Sequence, residues 1–229
     1  MNTYVRGLCF IIIVILIVVV PGLFYSDEIE GDIVVRVLDG DTVEVSGEDH
    51  IRLLGINAPE RGMKLYQEAK DYLLFLEGKE VEMEFFEEEY DKYGRKLRYV
   101  FYNNRNINRE LVLNGLANVL IYQEDDYSDE LIEAEDYARD NELGIWKKSF
   151  SKCSDCVKIV FANKDIEFRN NCGFGCDLSG WRVKDRQRHY FEFGDRVLEK
   201  GDNYVLDWDY DSENIFVWDG VGLVYFSDK

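Results

Sequence analysis

Three short segments hold the residues whose types and spacing could do chemistry on an anion. The first is Asp39-Gly40-Asp41-Thr42. Two carboxylates around a glycine can offer hard oxygen ligands to one side, the donor set that suits calcium or magnesium. The same tripeptide is also an ordinary hairpin turn. The second is Arg52-Leu53-Leu54-Gly55-Ile56-Asn57-Ala58-Pro59-Glu60. Arg52 interrupts an apolar run, so its guanidinium either pairs with a structural carboxylate or waits for an anion. Pro59 is one of only two prolines in the chain and would stiffen the loop that presents Glu60, although an exposed glutamate is by itself only a solvated charge. The third is Asp91-Lys92-Tyr93-Gly94-Arg95, with two cations and an aromatic in five residues. A charged turn between strands would look the same.

Regular elements must position these segments. Ile33–Leu38 and Thr42–Val45 are β-rich runs on either side of the Asp-Gly-Asp turn, and Ile51–Ile56 follows. Val81, Met83 and Phe85 alternate with Glu80, Glu82 and Glu84, a period of two that marks a half-buried strand. Leu97–Tyr102 makes a fifth strand. Between them, Ala69, Tyr72, Leu73 and Leu76 share one face of a helix over Leu65–Leu76. Asn108–Asn114 reads as a second helix. Ser128 is placed to cap a third, with Leu131, Ala134 and Ala138 on one face. Five short strands and about three helices suit an oligonucleotide-binding (OB) barrel. After Lys148 helical periodicity stops, and roughly seven short strands punctuated by Asn, Gly and Asp predict a β-sandwich. The expected organisation is a hydrophobic segment over 1–30, an α-containing barrel over 31–148 and a sandwich over 152–229.

Composition sets limits. The chain has 229 residues, 46% hydrophobic and 14% aromatic, which supports packed cores. Its net charge of −19 opposes long-range attraction of nucleic acid, which basic surfaces normally capture. A nucleic-acid enzyme of this composition needs a local cationic site inside an acidic shell. Leu8–Tyr25 carries no charge and is about as long as the shortest membrane spans. Arg6 precedes it, and Asp27, Glu28, Glu30 and Asp32 follow, so the remainder is expected to face outward. The bulky Leu23, Phe24 and Tyr25 argue against a signal-peptidase site, which favours an uncleaved anchor over a cleaved leader. The expectation is a membrane-anchored protein with its catalytic part outside the cytoplasm, or a secreted one if the segment is removed.

Cys153, Cys156, Cys172 and Cys176 form a Cys-x2-Cys and Cys-x3-Cys set. Four clustered thiols can hold zinc. In an exported chain two disulfides are the more natural outcome. Spacing does not give the pairing. Cys9, in the hydrophobic segment, stays separate.

In order and spacing, Asp39–Thr42, Arg52–Glu60, Asp91–Arg95, Asn114-Gly115-Leu116-Ala117 and Gly144-Ile145-Trp146 resemble the staphylococcal-nuclease-like (thermonuclease) family over about Val34–Trp146. The resemblance implies an OB-fold phosphodiesterase that uses calcium to cut DNA and RNA, with the 5′-oxygen leaving. It implies Asp41 as a direct metal ligand and Asn57 at the position of a second acidic ligand. Ala58 would offer its carbonyl, and Asp39 would act as an outer-sphere acid. Arg52 and Arg95 match the pair that grips the scissile phosphate. Glu60 matches the carboxylate that orients or activates water, and Lys92 and Tyr93 match residues near a neighbouring phosphate. Tyr122 stands, displaced by about one position, near where a base-packing tyrosine pair occurs. Asn57 removes one negative charge from the metal site, which predicts weaker calcium binding than aspartate would give. The stretch Arg61–Tyr66 is too short for the lysine-rich loop of well-known members. Beyond it, Asp177–Asp185, Ile166–Asn171 and Val197–Asp202 resemble lamin-tail domains, immunoglobulin-like sandwiches used for binding, in which Trp181 packs the core. The rival to an active nuclease is a catalytically silent nucleic-acid or surface binding module. Retention of Arg52, Glu60 and Arg95 argues against it.

Overall fold

A computed structural model describes residues 30–47, 49–86, 89–162, 165–186, 189–208 and 214–227. The hydrophobic segment Leu8–Tyr25 lies outside the described residues. Among the described residues no helix is long and apolar enough to cross a membrane.

The N-terminal half is a closed five-stranded barrel. Its strands are β1 (Glu30–Asp39), β2 (Thr42–Val45), β3 (His50–Leu53), β5 (Glu80–Glu84) and β6 (Lys96–Tyr102). The order runs β3-β2-β1-β5-β6, and a parallel pairing of β3 with β6 closes the circle. Two-residue strands β4 (Ile56–Asn57) and β8 (Asn118–Val119) pair with each other, and β7 (Arg105–Asn106) extends the sheet at β6. The expected run Ile51–Ile56 is therefore two strands. Gly55 turns the chain between them with φ +75. Alternation in β5 holds for Val81 and Met83, which point into the core while the glutamates point out. The strand ends at Glu84, however, and Phe85, expected on the buried face, is 49% exposed with the Arg98 guanidinium 5.0 Å from its ring centre.

Three helices cover the barrel. Helix α1 (Tyr66–Leu73) continues as a 3-10 turn over Leu74–Leu76, and buries Ala69, Leu73 and Leu76. Helix α2 (Ile107–Leu113) is capped by Asn106, whose side chain accepts from the Arg109 N–H at 3.1 Å. Helix α3 (Ser128–Asp140) buries Leu131, Ala134 and Ala138. Ser128 does not cap it. The hydroxyl of Ser128 accepts from the Asp125 N–H and donates to the Asp125 carboxylate, so Asp125 organises the entry turn and Ser128 is the first helical residue.

The C-terminal half packs two antiparallel sheets around its own core. One sheet orders β15 (Asn203–Asp207), β10 (Asp165–Asn170) and β9 (Val157–Ala162). The other orders β13 (Tyr190–Glu192), β12 (Arg182–Lys184), β16 (Phe216–Trp218) and β17 (Leu223–Phe226). A short pair, β11 (Cys176–Asp177) with β14 (Val197–Leu198), completes it. Phe168 and Ile166 from the first sheet meet Val183 and Val217 from the second, with Trp181 buried among them.

The four clustered cysteines form two disulfides, Cys153–Cys176 and Cys156–Cys172. All four sulfurs are consumed, so the zinc alternative is set aside in favour of the expected disulfides. Each bond closes a short loop, which lowers the entropy of the unfolded chain by the equivalent of about 3 kcal/mol. Replacing Cys156 and Cys172 together by serine is expected to lower stability by about that amount. Denaturant titration checks it, and a change below about 0.5 kcal/mol would contradict the covalent link.

A third core joins the halves. Ala138, Ile145 and Trp146 pack against Phe216 and Leu223. The Trp146 ring lies 4.9 Å from Phe226 and 5.3 Å from Phe216. Backbone bonds follow the same seam: the Leu223 N–H donates to Lys147, and the Ser149 N–H donates to Leu223, each at 2.8 Å. Gly115 and Gly144 hold the Trp146 segment against the barrel. Both have positive φ, and a Cβ on Gly144 would sit 2.0 Å from the Gly115 carbonyl oxygen. This close approach accounts for the glycines in the Asn114–Ala117 and Gly144–Trp146 motifs.

Candidate active site

The three chemical segments arrive from different parts of the barrel. Asp39 ends β1 and pairs with Thr42 of β2, so Gly40 and Asp41 form the hairpin turn and Asp39 precedes it. Gly40 between the two aspartates is required by packing: a Cβ there would lie 2.7 Å from Ala69 Cβ and 2.9 Å from Ala58 Cβ. Arg52 on β3 pairs with Thr42 on one side and with Leu97 of β6 on the other. Barrel closure therefore brings Arg95, just before β6, to the same end as Arg52 and Asp41.

Arg52 is buried and fully engaged. Its Nη2 lies 3.1 Å from Asp41 Oδ2 and donates to Asn57 Oδ1 at 3.3 Å, and its Nη1 donates to the Leu53 carbonyl at 2.6 Å. Asp41 is buried too. Its Oδ2 also accepts from the Ala58 N–H at 2.9 Å, and its Oδ1 accepts from the Thr42 hydroxyl at 3.1 Å. Asp91 orients Arg95. Its Oδ2 takes Nε at 2.7 Å and Nη2 at 2.6 Å, while its Oδ1 accepts from the Tyr93 and Arg95 N–H groups. Burial raises the Asp91 carboxyl, but the hydrogen bonds and charge of Arg95 and the Tyr93 N–H outweigh it and hold Asp91 below the usual carboxylate range. Arg95 Nη1 reaches Thr42 Oγ1 at 3.3 Å, which links the Asp91–Arg95 turn to the Asp-Gly-Asp turn.

A cleft of about 450 Å³ opens here, lined among others by Arg52, Asn57, Lys92, Tyr93, Arg95 and Tyr122. Tyr122 is 79% exposed at its rim. Lys92 and Arg95 lie 5.2 Å and 5.6 Å from the Tyr93 ring centre, a small cationic and aromatic group. Asp39, Asp41, Ala58 and Glu60 are not among the residues that line the cleft, but Asp39, Asp41 and Glu60 belong to one electrostatic cluster. Burial pushes the Asp39 carboxyl up, and the charges of Asp41 and Glu60 add to the rise, against the Gly40 N–H and Lys70, which lower it. A second cavity of about 380 Å³ lies at the seam between the halves and takes Pro59, Gly144 and Ile145 from the motif segments.

Two neighbours of the cleft were not legible in the motifs. His189, one of two histidines in the chain, lines it from the C-terminal half, with its Nδ1 2.5 Å from Asp185 Oδ2. Arg186 lies beside it. Its carbonyl accepts from the Asn57 side-chain N–H at 3.0 Å. Its guanidinium makes a bidentate pair with Glu135 of α3 at 2.8 and 2.7 Å and donates to the Val119 carbonyl at 2.8 Å. The one signal in sequence was the run of charges after Trp181-Arg182-Val183, which points nowhere without the fold.

A closed five-stranded barrel whose end gathers two arginines, a buried aspartate and further carboxylates is a protein of the OB-fold class. Residues 50–148 match the family described as staphylococcal nuclease homologue. A thermonuclease of Staphylococcus intermedius is 33% identical over 136 residues, covering 54% of this chain and 81% of that protein. A micrococcal nuclease of Shigella flexneri is 34% identical over 145 residues, covering 58% and 80%. An uncharacterized protein of Methanocaldococcus jannaschii is 36% identical over 149 residues, covering 51% and 71%. The chain belongs to the staphylococcal nuclease homologue family, and its function is of the hydrolytic nuclease kind.

Proposed function

We propose that this protein is a calcium-dependent nuclease that hydrolyses phosphodiester bonds of DNA or RNA outside the cytoplasm. The observation that carries the reading is the convergence of Arg52 and Arg95 on one cleft with Asp41 against Arg52. A phosphodiester is anionic and gains charge on the way to the pentacoordinate transition state. Planar guanidiniums grip its oxygens through forked hydrogen bonds and stay charged at every working pH.

The donor set fits calcium. Asp39, Asp41 and the Ala58 backbone carbonyl offer only hard oxygens, while the Asn57 carboxamide oxygen is engaged by Arg52 Nη2. The crowding of Asp39 by Asp41 and Glu60 is the repulsion that a divalent cation relieves. Calcium held there supplies positive charge beside the phosphate. Arg52, held by Asp41 and Asn57, lines the cleft that would take the phosphate. Arg95, held by Asp91, grips from the other side. Glu60 accepts or orients a proton of the attacking water. Lys92 and Tyr93 contact a neighbouring phosphate, and Tyr122 offers a face to a base. This cationic group works at short range inside a chain of net charge −19, so association is slower than for a basic nuclease.

The hydrophobic segment over 1–30 would anchor or export the folded halves, assigned as a nuclease domain over 31–148 and a lamin-tail-like binding domain over 152–229. The two disulfides support an oxidising compartment.

The test uses the chain from Gly31 onward. Nucleic acid is expected to be cut with calcium and spared with chelator, and Glu60→Gln is expected to lower kcat by about 100-fold or more. Cutting that survives chelation, or a Glu60→Gln protein as active as wild type, would contradict the reading.

A further inference from the structure

We infer that Arg186, from the C-terminal half, is a positioning residue of the nuclease site, acting through Asn57 on Arg52. The inference rests on the reading of Arg52 as a phosphate-gripping residue.

The contacts form one continuous chain. The carboxylate of Glu135, on α3, accepts from the Val119 N–H at 2.7 Å and takes the Arg186 guanidinium in a bidentate pair. The guanidinium also donates to the Val119 carbonyl. These three acceptors fix Arg186 in place and direct its carbonyl at the Asn57 carboxamide. Because the Asn57 nitrogen donates to that carbonyl, its oxygen must face the other way, where it accepts from Arg52 Nη2 at 3.3 Å. The C-terminal half thus determines which way the carboxamide is turned, and the turned carboxamide holds one arm of Arg52.

The chain also explains the residue type. Asparagine alone among the short oxygen-bearing side chains offers an oxygen to a guanidinium and an N–H to a carbonyl at once. Aspartate at this position would aim a carboxylate oxygen at the Arg186 carbonyl, two acceptors with no proton between them. Asn57, a weakened metal ligand by its sequence position, is fitted to its contact with the second half.

A double-mutant cycle on the chain from Gly31 to Lys229, the compact unit that holds every residue involved, tests this. Asn57→Ala and Arg186→Ala are each expected to lower kcat by about 10- to 100-fold with little change in KM, because a loosened Arg52 is missed in the transition state. Combined, they are expected to be no worse than the larger single effect, since both break one chain. Asn57→Asp is expected to lower kcat as well, even where its added charge raises calcium affinity. Should Arg186→Ala fail to fold, Glu135→Gln with Arg186→Met removes the charge pair together and takes its place in the cycle. The Arg52 Nε–H resonance, read without substrate, gives an independent measure: sharp in wild type, broadened by Arg186→Ala and by Asn57→Ala. A wild-type protein that cuts no nucleic acid would remove the nuclease reading, and the Arg52 signal would still decide the positioning role. The role is overturned by an unchanged Arg52 signal in Arg186→Ala, by unchanged kcat, by effects that multiply in the double variant, or by a gain in kcat for Asn57→Asp.

Discussion

Arg95→Ala is expected to lower kcat by about 1,000-fold, with some loss of stability as Asp91 loses its cation. A single preorganised donor aimed at developing charge is worth about 10²–10³ in rate, and an arginine on a transferring phosphoryl group can exceed that. Arg95 is preorganised in this sense. Asp91 holds Nε and Nη2, and Thr42 engages Nη1 at 3.3 Å, so the fork is fixed before substrate arrives. Lysine would keep the charge but lose the planar fork and the bidentate hold on Asp91. Arg95→Lys is therefore expected to recover no more than a small part of the rate. Single-turnover kinetics with saturating protein measure the chemical step directly. A loss smaller than about tenfold would show that Arg95 serves only the turn.

The second large effect falls on stability. Arg186→Ala is expected to cost about 3 kcal/mol, because it leaves the Glu135 carboxylate in the interior without its cation. The side chains of the pair are 19% and 5% exposed, so solvent screens it weakly. Glu135 would keep only the Val119 N–H among the bonds described above. At this chain length the cost corresponds to a fall in Tm of about 6–12 °C. Glu135→Gln introduced with Arg186→Ala is expected to restore most of the loss, since no charge is then stranded. Urea titration of the three variants distinguishes this from a general packing defect, which the second substitution would deepen.

The same pair shows why the halves are interdependent. The third core around Trp146, Phe216 and Leu223 supplies apolar contact across the seam. Arg186–Glu135 and Arg186–Asn57 supply directional polar contact beside the cleft. Apolar burial favours association without fixing orientation, whereas a bidentate pair and a carboxamide bond require one geometry. The C-terminal half is thereby held as a wall of the cleft, where His189 joins Tyr122 and Tyr93.

The order of Asp39–Asp41, Arg52–Glu60 and Asp91–Arg95 was legible in the chain because each segment is local and carries its own turn chemistry. Strand alternation such as Glu80–Glu84 was legible for the same reason: burial on one face leaves a period of two. Helix faces followed from spacing, but the cap at Ser128 did not. A serine before an apolar run satisfies the pattern equally well one position inside the helix, and only the position of Asp125 decides between them. The preference for disulfides was readable from context, whereas their pairing required the approach of Cys153 to Cys176 and of Cys156 to Cys172. The sequence by itself determined the chemistry available: forked cations, hard oxygens and a barrel to carry them. The tertiary structure alone decided that Asn57 faces Arg186 across a separation of 129 residues. Local sequence encodes which way a strand or helix turns, but a contact between distant segments depends on how whole faces pack, and no spacing along the chain records that.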